Sequence, residues 1–180
     1  MNEEFLINSY FKKLSQNNPS SLNLNDDVFF DKNKKLVISV DTYNEGIHFL
    51  NFNKPDLVIR KIIRSSISDI YAKGVKPNYF FIAGSGNKKH FTKKNMSLIN
   101  KSLSNEQNRF NIKLSGGDTT SSKNLSFTVM SLGYSNKIVY RNKANNGDDI
   151  YVTGNIGDSY IGLKACLLYT SPSPRDRQKS

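Results

Sequence analysis

The strongest periodic signal in the chain lies between Pro55 and Pro77. Val58, Ile59, Ile62, Ile63, Ile67 and Ile70 recur at helical spacing, which predicts a long helix with one buried stripe. Pro55 suits its first turn, and Gly74 with Pro77 closes it. Residues 3–15 predict another helix, capped by Asn2, with Leu6, Tyr10, Phe11 and Leu14 on one face. Residues 92–109 predict a more polar one, with Met96, Ile99 and Leu103 facing inward. Val28–Phe30, Leu36–Val40, Tyr79–Ala83, Ile112–Leu114 and Leu125–Gly133 read as strands. Ile150–Thr153 predicts a further strand, and residues 157–165 the start of a last helix. Strands alternate with helices, so the expected class is α/β or α+β.

A length of 180 residues accommodates one full domain and the start of another. No apolar run approaches the roughly 20 residues of a membrane-spanning helix. The first residues carry acids and lack the apolar core of a signal peptide, so a cytoplasmic protein without a membrane partner is expected. The formal charge is +11. Lys and Asn are abundant, Arg is scarce and the lysines form no stripe, a pattern of AT-rich coding that weighs against a nucleic-acid partner. Residues 166–180, CLLYTSPSPRDRQKS, shift abruptly in composition and resemble a translated sequencing adapter. Setting this tail aside as non-native removes Cys166, the only cysteine, and leaves a charge of +9. It also implies a reading frame truncated on its C-terminal side.

Acidic residues are few, and several fall where strands or helices are expected to end: Asp26, Asp27, Asp41, Asp69, Asp118, Asp148 and Asp149. Each alone fits a turn or cap. Asp69 differs, because it shares the apolar helical face of Val58 and Ile62 near the helix C-terminus. A carboxylate there needs a lysine partner or a metal ion. Asp41 follows the apolar Ile38-Ser-Val, and Asp118 follows Gly116-Gly117 in KLSGGDTTSS. Carboxylates converging on magnesium, beside glycines that admit a phosphate, would give such a pattern. A P-loop and the protein-kinase signatures are absent, and Gly84-Ser-Gly86 is too short for a nucleotide fingerprint.

The ordered motifs NDD, SVDTYNEGIHF, SISDIYAKGVKP, LSGGDTT and YRNKANNGDDIYVTG resemble bacterial thiamine-monophosphate kinases. That family belongs to the superfamily of aminoimidazole-ribonucleotide synthetase, which uses ATP without a P-loop. The resemblance runs from about residue 5 to 165. It implies an α/β N-terminal domain with a mixed sheet and packed helices over residues 1–146, binding ATP and magnesium. Residues 147–165 would begin a second α/β domain. It implies Asp27, Ser39, Asp41, Asp69 and Asp118 as magnesium ligands, Gly117, Asp118 and Arg141 as ATP contacts, and His48 as a contact to thiamine monophosphate. Asp26 and Asp148 read as structural members of their motifs. A homodimer is implied as well.

Four positions depart from the family pattern. Asn23 and Asn25 replace glycines of the first motif, and Asn tolerates positive φ. Val40 replaces a hydroxyl residue, leaving only its carbonyl for a metal, and Ser66 replaces an Asn. The activity implied is ATP-dependent phosphorylation of thiamine monophosphate to thiamine diphosphate, with Mg2+ and ATP as cofactors and a truncated fragment inactive. The competing readings are another ATP-using enzyme of the superfamily, such as aminoimidazole-ribonucleotide synthetase, and a basic nucleic-acid-binding module.

Overall fold

The structure, a computed structural model, describes residues 2–152, 154–158 and 160–162. It divides into two compact units, residues 1–143 and 144–180. In the first, the elements run α1 (Glu3–Leu6), β1 (Phe29–Asp31), β2 (Leu36–Asn44), α2 (Pro55–Ala72), β3 (Pro77–Gly86), α3 (Lys93–Phe110), β4 (Lys113–Ser121) and β5 (Ser126–Tyr134).

The apolar stripe of α2 builds the core. Ile59, Ile62, Ile63, Ile67 and Ile70 are almost fully buried, and they meet Val37 on β2, Phe80 on β3, and Phe127 and Val129 on β5. The five strands form one mixed sheet in the order β1-β2-β5-β3-β4, with only the β3/β4 pair parallel. Parallel neighbours need a crossover, and α3 supplies it. Thr92 caps α3 by accepting from the Asn95 amide at 3.2 Å, and Asn111 leaves it in the left-handed region. Arg64 of α2 joins Glu106 of α3 through two hydrogen bonds, at 2.7 and 2.9 Å.

Alternation along the strands separates two faces. Ser39, Asp41 and Tyr43 of β2 point toward α2, as do Phe127, Val129 and Ser131 of β5. The other face carries two cross-strand rows, Ile38–Leu132–Tyr79 and Val40–Met130–Phe81. These side chains are half-buried or exposed, with Val40 58% and Tyr79 42% accessible.

Several expected boundaries move. The first helix is α-helical only over Glu3–Leu6, then continues as a π turn (Ile7–Phe11) and a 3-10 turn (Lys12–Ser15). Its intended apolar face stays in water, with Leu14 84% exposed, so no packing enforces a regular helix. Strand β2 continues past Val40 to Asn44, because all nine of its residues pair with β5. Strand β4 runs through the glycines where a turn was expected. It bulges at Ser115, since Phe80 pairs with Leu114 and Phe81 with Gly116. A Cβ on Gly117 would lie 1.9 Å from the Ile82 carbonyl oxygen, so this glycine is required by the close approach of β3.

In the second unit Ile150, Tyr151 and Val152 form no strand, and Thr153 lies outside the described residues. Asp158 and Tyr160–Gly162 are helical, as expected there. Asp148 accepts from the Asn145 amide at 2.7 Å, a local turn bond. Residues 163–180, with the anomalous tail, lie outside the described residues.

Candidate active site

The end of β2, the loop before β1 and the α2 face meet around a cleft of about 930 Å³. Six acidic residues line it: Glu3, Glu4, Asp26, Asp27, Asp41 and Asp69. Of 15 acids in a chain of charge +11, this is a strong concentration of negative charge. Arg141 is the basic residue in the lining.

Asp69, Asp41 and the more exposed Asp27 each have a donor. Ser39, 2% exposed, donates to Asp69 Oδ2 at 2.9 Å. The Tyr43 hydroxyl donates to Asp41 Oδ2 at 3.0 Å. Arg141 Nη1 donates to Asp27 Oδ1 at 3.4 Å. Burial raises the pKa of Asp69 above the ordinary carboxylate value; the Ser39 bond opposes this, and the charges of Asp41 and Asp27 add to it. Burial also holds the Tyr43 phenol far above its usual range, so it remains a donor at neutral pH.

The loop that presents Asp27 is unusually bent. Leu22, Asn23 and Leu24 all have positive φ, of 52°, 58° and 55°. Asn23 thus adopts a glycine-like conformation, whereas Asn25 sits at φ −103°. Three left-handed residues in succession store strain beside a site. Asp26 is buried and paired with Lys73, and it also accepts from the Arg141 amide at 3.3 Å. The Val139 amide donates to the Lys73 carbonyl at 3.0 Å, and Ile138 is buried beside Val28 and Ile70. These anchors bring Arg141 to the cleft.

Asp27, Ser39, Asp41, Asp69 and Arg141 are therefore assembled around one cleft. His48 is not among the residues that line it. His48 Nδ1 accepts from the Asn44 amide at 2.9 Å, and its ring meets the Tyr43 ring edge-on at 5.7 Å. Gly117 and Asp118 stand apart, on the edge strand β4. The row Asp41–Val129–Ile82–Gly117 spans three strand spacings, roughly 14 Å. Asp118 is exposed and accepts locally from the Thr119 amide at 2.8 Å. Ser66, at a departure from the family pattern, bonds Ser131 at 2.8 Å and ties α2 to β5.

Tyr43, Lys73, Glu3 and Glu4 were not singled out from sequence. Tyr43 comes onto the face of Asp41 only because β2 extends past the expected end at Val40. Among the described residues no three carboxylate, histidine or cysteine side chains are placed closely enough to hold an ion as they stand. The donor chemistry nevertheless suits a hard cation: the groups are oxygens, and the charges of Asp41 and Asp27, which add to the effect of burial on Asp69, are what a cation would relieve.

Residues 24–135 match the AIR synthase related protein, N-terminal domain. The chain therefore belongs to the AIR synthase related family. It is 34% identical to the thiamine-monophosphate kinase of Haemophilus influenzae over 98% of this chain and 55% of that one. It is also 34% identical to that of Buchnera aphidicola from Acyrthosiphon pisum, over 88% of this chain and 50% of the relative. The solved structure of AaThiL complexed with AMPPCP and TMP superposes with a TM-score of 0.80 at 26% identity, covering 98% of this chain and 56% of that one. The chain thus spans about half the length of the curated relatives it matches.

Asp69→Asn in the metal-free chain should raise the melting temperature by a few degrees at neutral pH. The sign follows from the raised folded pKa: between the unfolded value of 3.8 and the folded value, the native state binds more protons, so wild-type stability falls as pH rises. The advantage of the variant should shrink as pH drops toward 4. Calorimetry across pH checks this, and a variant less stable than wild type at neutral pH would refute it.

Proposed function

We propose that this chain is the N-terminal, ATP- and cation-binding part of a thiamine-monophosphate kinase, which transfers the γ-phosphoryl group of ATP to thiamine monophosphate. The observation that carries the reading is the acidic cleft, assembled from the motif residues Asp27, Ser39, Asp41 and Asp69 with Arg141 at its edge. The names of the relatives and the pairing of AMPPCP with TMP in AaThiL support the same substrates here.

Phosphoryl transfer asks the protein for alignment and for compensation of charge on the phosphoryl oxygens. Mg2+, held by Asp27, Asp41 and Asp69 with Ser39 beside them, would supply that compensation when bound. Arg141 adds a fixed positive charge whose position is set by Asp26, Lys73 and Asp27. His48, braced by the Asn44 amide and the Tyr43 ring, is the group assigned to thiamine monophosphate. Gly117 and Asp118 are assigned to the nucleotide side; Asp118 shares the sheet row of Thr42, alternate to that of Asp41, so a magnesium ion it held within one chain would be separate from that of the cleft. Residues from about 147 onward would begin the second domain. A nucleic-acid module is disfavoured by the same cleft, whose six acids repel a polyanion.

A homodimer belongs to this reading. The open sheet face carries the rows Ile38–Leu132–Tyr79 and Val40–Met130–Phe81, an apolar surface that a second copy would cover. Light scattering should give twice the 20.4 kDa chain mass, and Tyr79→Lys should return it to monomer. A monomeric wild type would remove the dimer.

The kinase reading is tested in the protein extended over the length of its relatives. Thiamine monophosphate and ATP should yield thiamine diphosphate, whereas aminoimidazole-ribonucleotide synthetase substrates should not react. Asp41→Asn should lower the rate roughly 100-fold or more. Near-normal turnover in that variant would end the assignment of Asp41.

A further inference from the structure

Tyr43 poses a physical question that the motif residues leave unanswered. Its ring is 5% exposed and packs in the main core near Phe49, Phe127 and Ile62. An aliphatic side chain would suit such a position without bringing a hydroxyl that must be satisfied. The hydroxyl is satisfied entirely at the site. It donates to Asp41 Oδ2 at 3.0 Å. The opposite contact of the same side chain is His48, whose ring lies edge-on at 5.7 Å and 78°.

We propose that Tyr43 is a positioning residue that fixes the Asp41 carboxylate in the acidic cleft and joins it to the His48 loop through its ring. The inference rests on the cation-binding reading of the cleft. Tyr43 does for Asp41 what Ser39 does for Asp69: it supplies a donor from the protein side and leaves the other carboxylate oxygen free for the cleft. Its rigid ring sets where that donor stands, so Asp41 gains a fixed direction that a water molecule would not provide. Outer donors of this kind commonly alter metal affinity by 10- to 100-fold when removed.

Tyr43→Phe deletes one oxygen and keeps the ring against His48 and the core. Two readouts on the full chain decide the matter: the carboxyl 13C shift of Asp41 without metal at pH 7, and the affinity for Mn2+ alone followed by electron paramagnetic resonance. The Asp41 shift should move, and the Mn2+ dissociation constant should rise roughly tenfold. An Asp41 resonance unmoved from wild type overturns the inference whatever the metal does. A moved resonance with unchanged Mn2+ affinity overturns it too, because Asp41 would then bind without being positioned. A wild type that takes up no Mn2+ defeats the cation reading itself, and the Asp41 resonance alone then judges the role of Tyr43. Should Tyr43→Phe fail to fold, 3-fluorotyrosine at position 43 keeps the ring and the hydroxyl bonded to Asp41 but makes the hydroxyl a stronger donor. It should move the same resonance by a smaller amount, and no movement there refutes the claim.

Discussion

A carboxylate carried onto the apolar face of α2 has to be compensated where it lands, because burial penalises its ionised form. The isoleucine stripe of α2 can be buried against β2, β3 and β5 in only one rotation of the helix. That rotation also turns Asp69 toward the sheet. Ser39 and Asp41 of β2 meet it there, and the loop before β1 adds Asp27. The hydrophobic energy of the core thus forces together charges that would separate if the helix were free.

What the site does with those charges follows from its asymmetry. Hydrogen bonds from Ser39, Tyr43 and Arg141 hold the three carboxylates individually. The Asp69 pKa is raised chiefly by burial, and the neighbouring charges of Asp41 and Asp27 add to it. A strongly basic chain therefore contains a strongly acidic cleft. Diffuse positive charge outside and focused negative charge inside suit an anionic nucleotide that arrives with a cation better than either ion alone. The buried Asp26–Lys73 pair plays a different part. It neutralises itself, and its remaining hydrogen bonds hold the segment that delivers Arg141.

Much of this was legible in the sequence, for physical reasons that vary by element. The α2 stripe gave a helix boundary correct to within a residue or two, since eighteen residues of consistent period leave little freedom. Asp69 was legible as an anomaly on that stripe. The strand ends were not, because β2 and β4 continue through Asp41, Gly116, Gly117 and Asp118, residues that locally favour turns. Pairing with β5 and β3 overrides those preferences, and no local pattern announces a partner far along the chain. Gly117 illustrates the cost of reading a motif in isolation: its missing side chain makes room for the Ile82 carbonyl as well as for any ligand. Lys73 left no signal at all, since its burial exists only once Asp26 lies beside it.

Under the proposed cation-binding role, a divalent cation would relieve the repulsion among Asp27, Asp41 and Asp69 that adds to the burial of Asp69. Following the Asp69 carboxyl carbon through a pH titration, with and without saturating Mg2+, tests this most directly. The metal-free midpoint should lie above 3.8, and Mg2+ should move it to lower pH. Superimposable curves, with Mg2+ leaving the midpoint where it was, would contradict it.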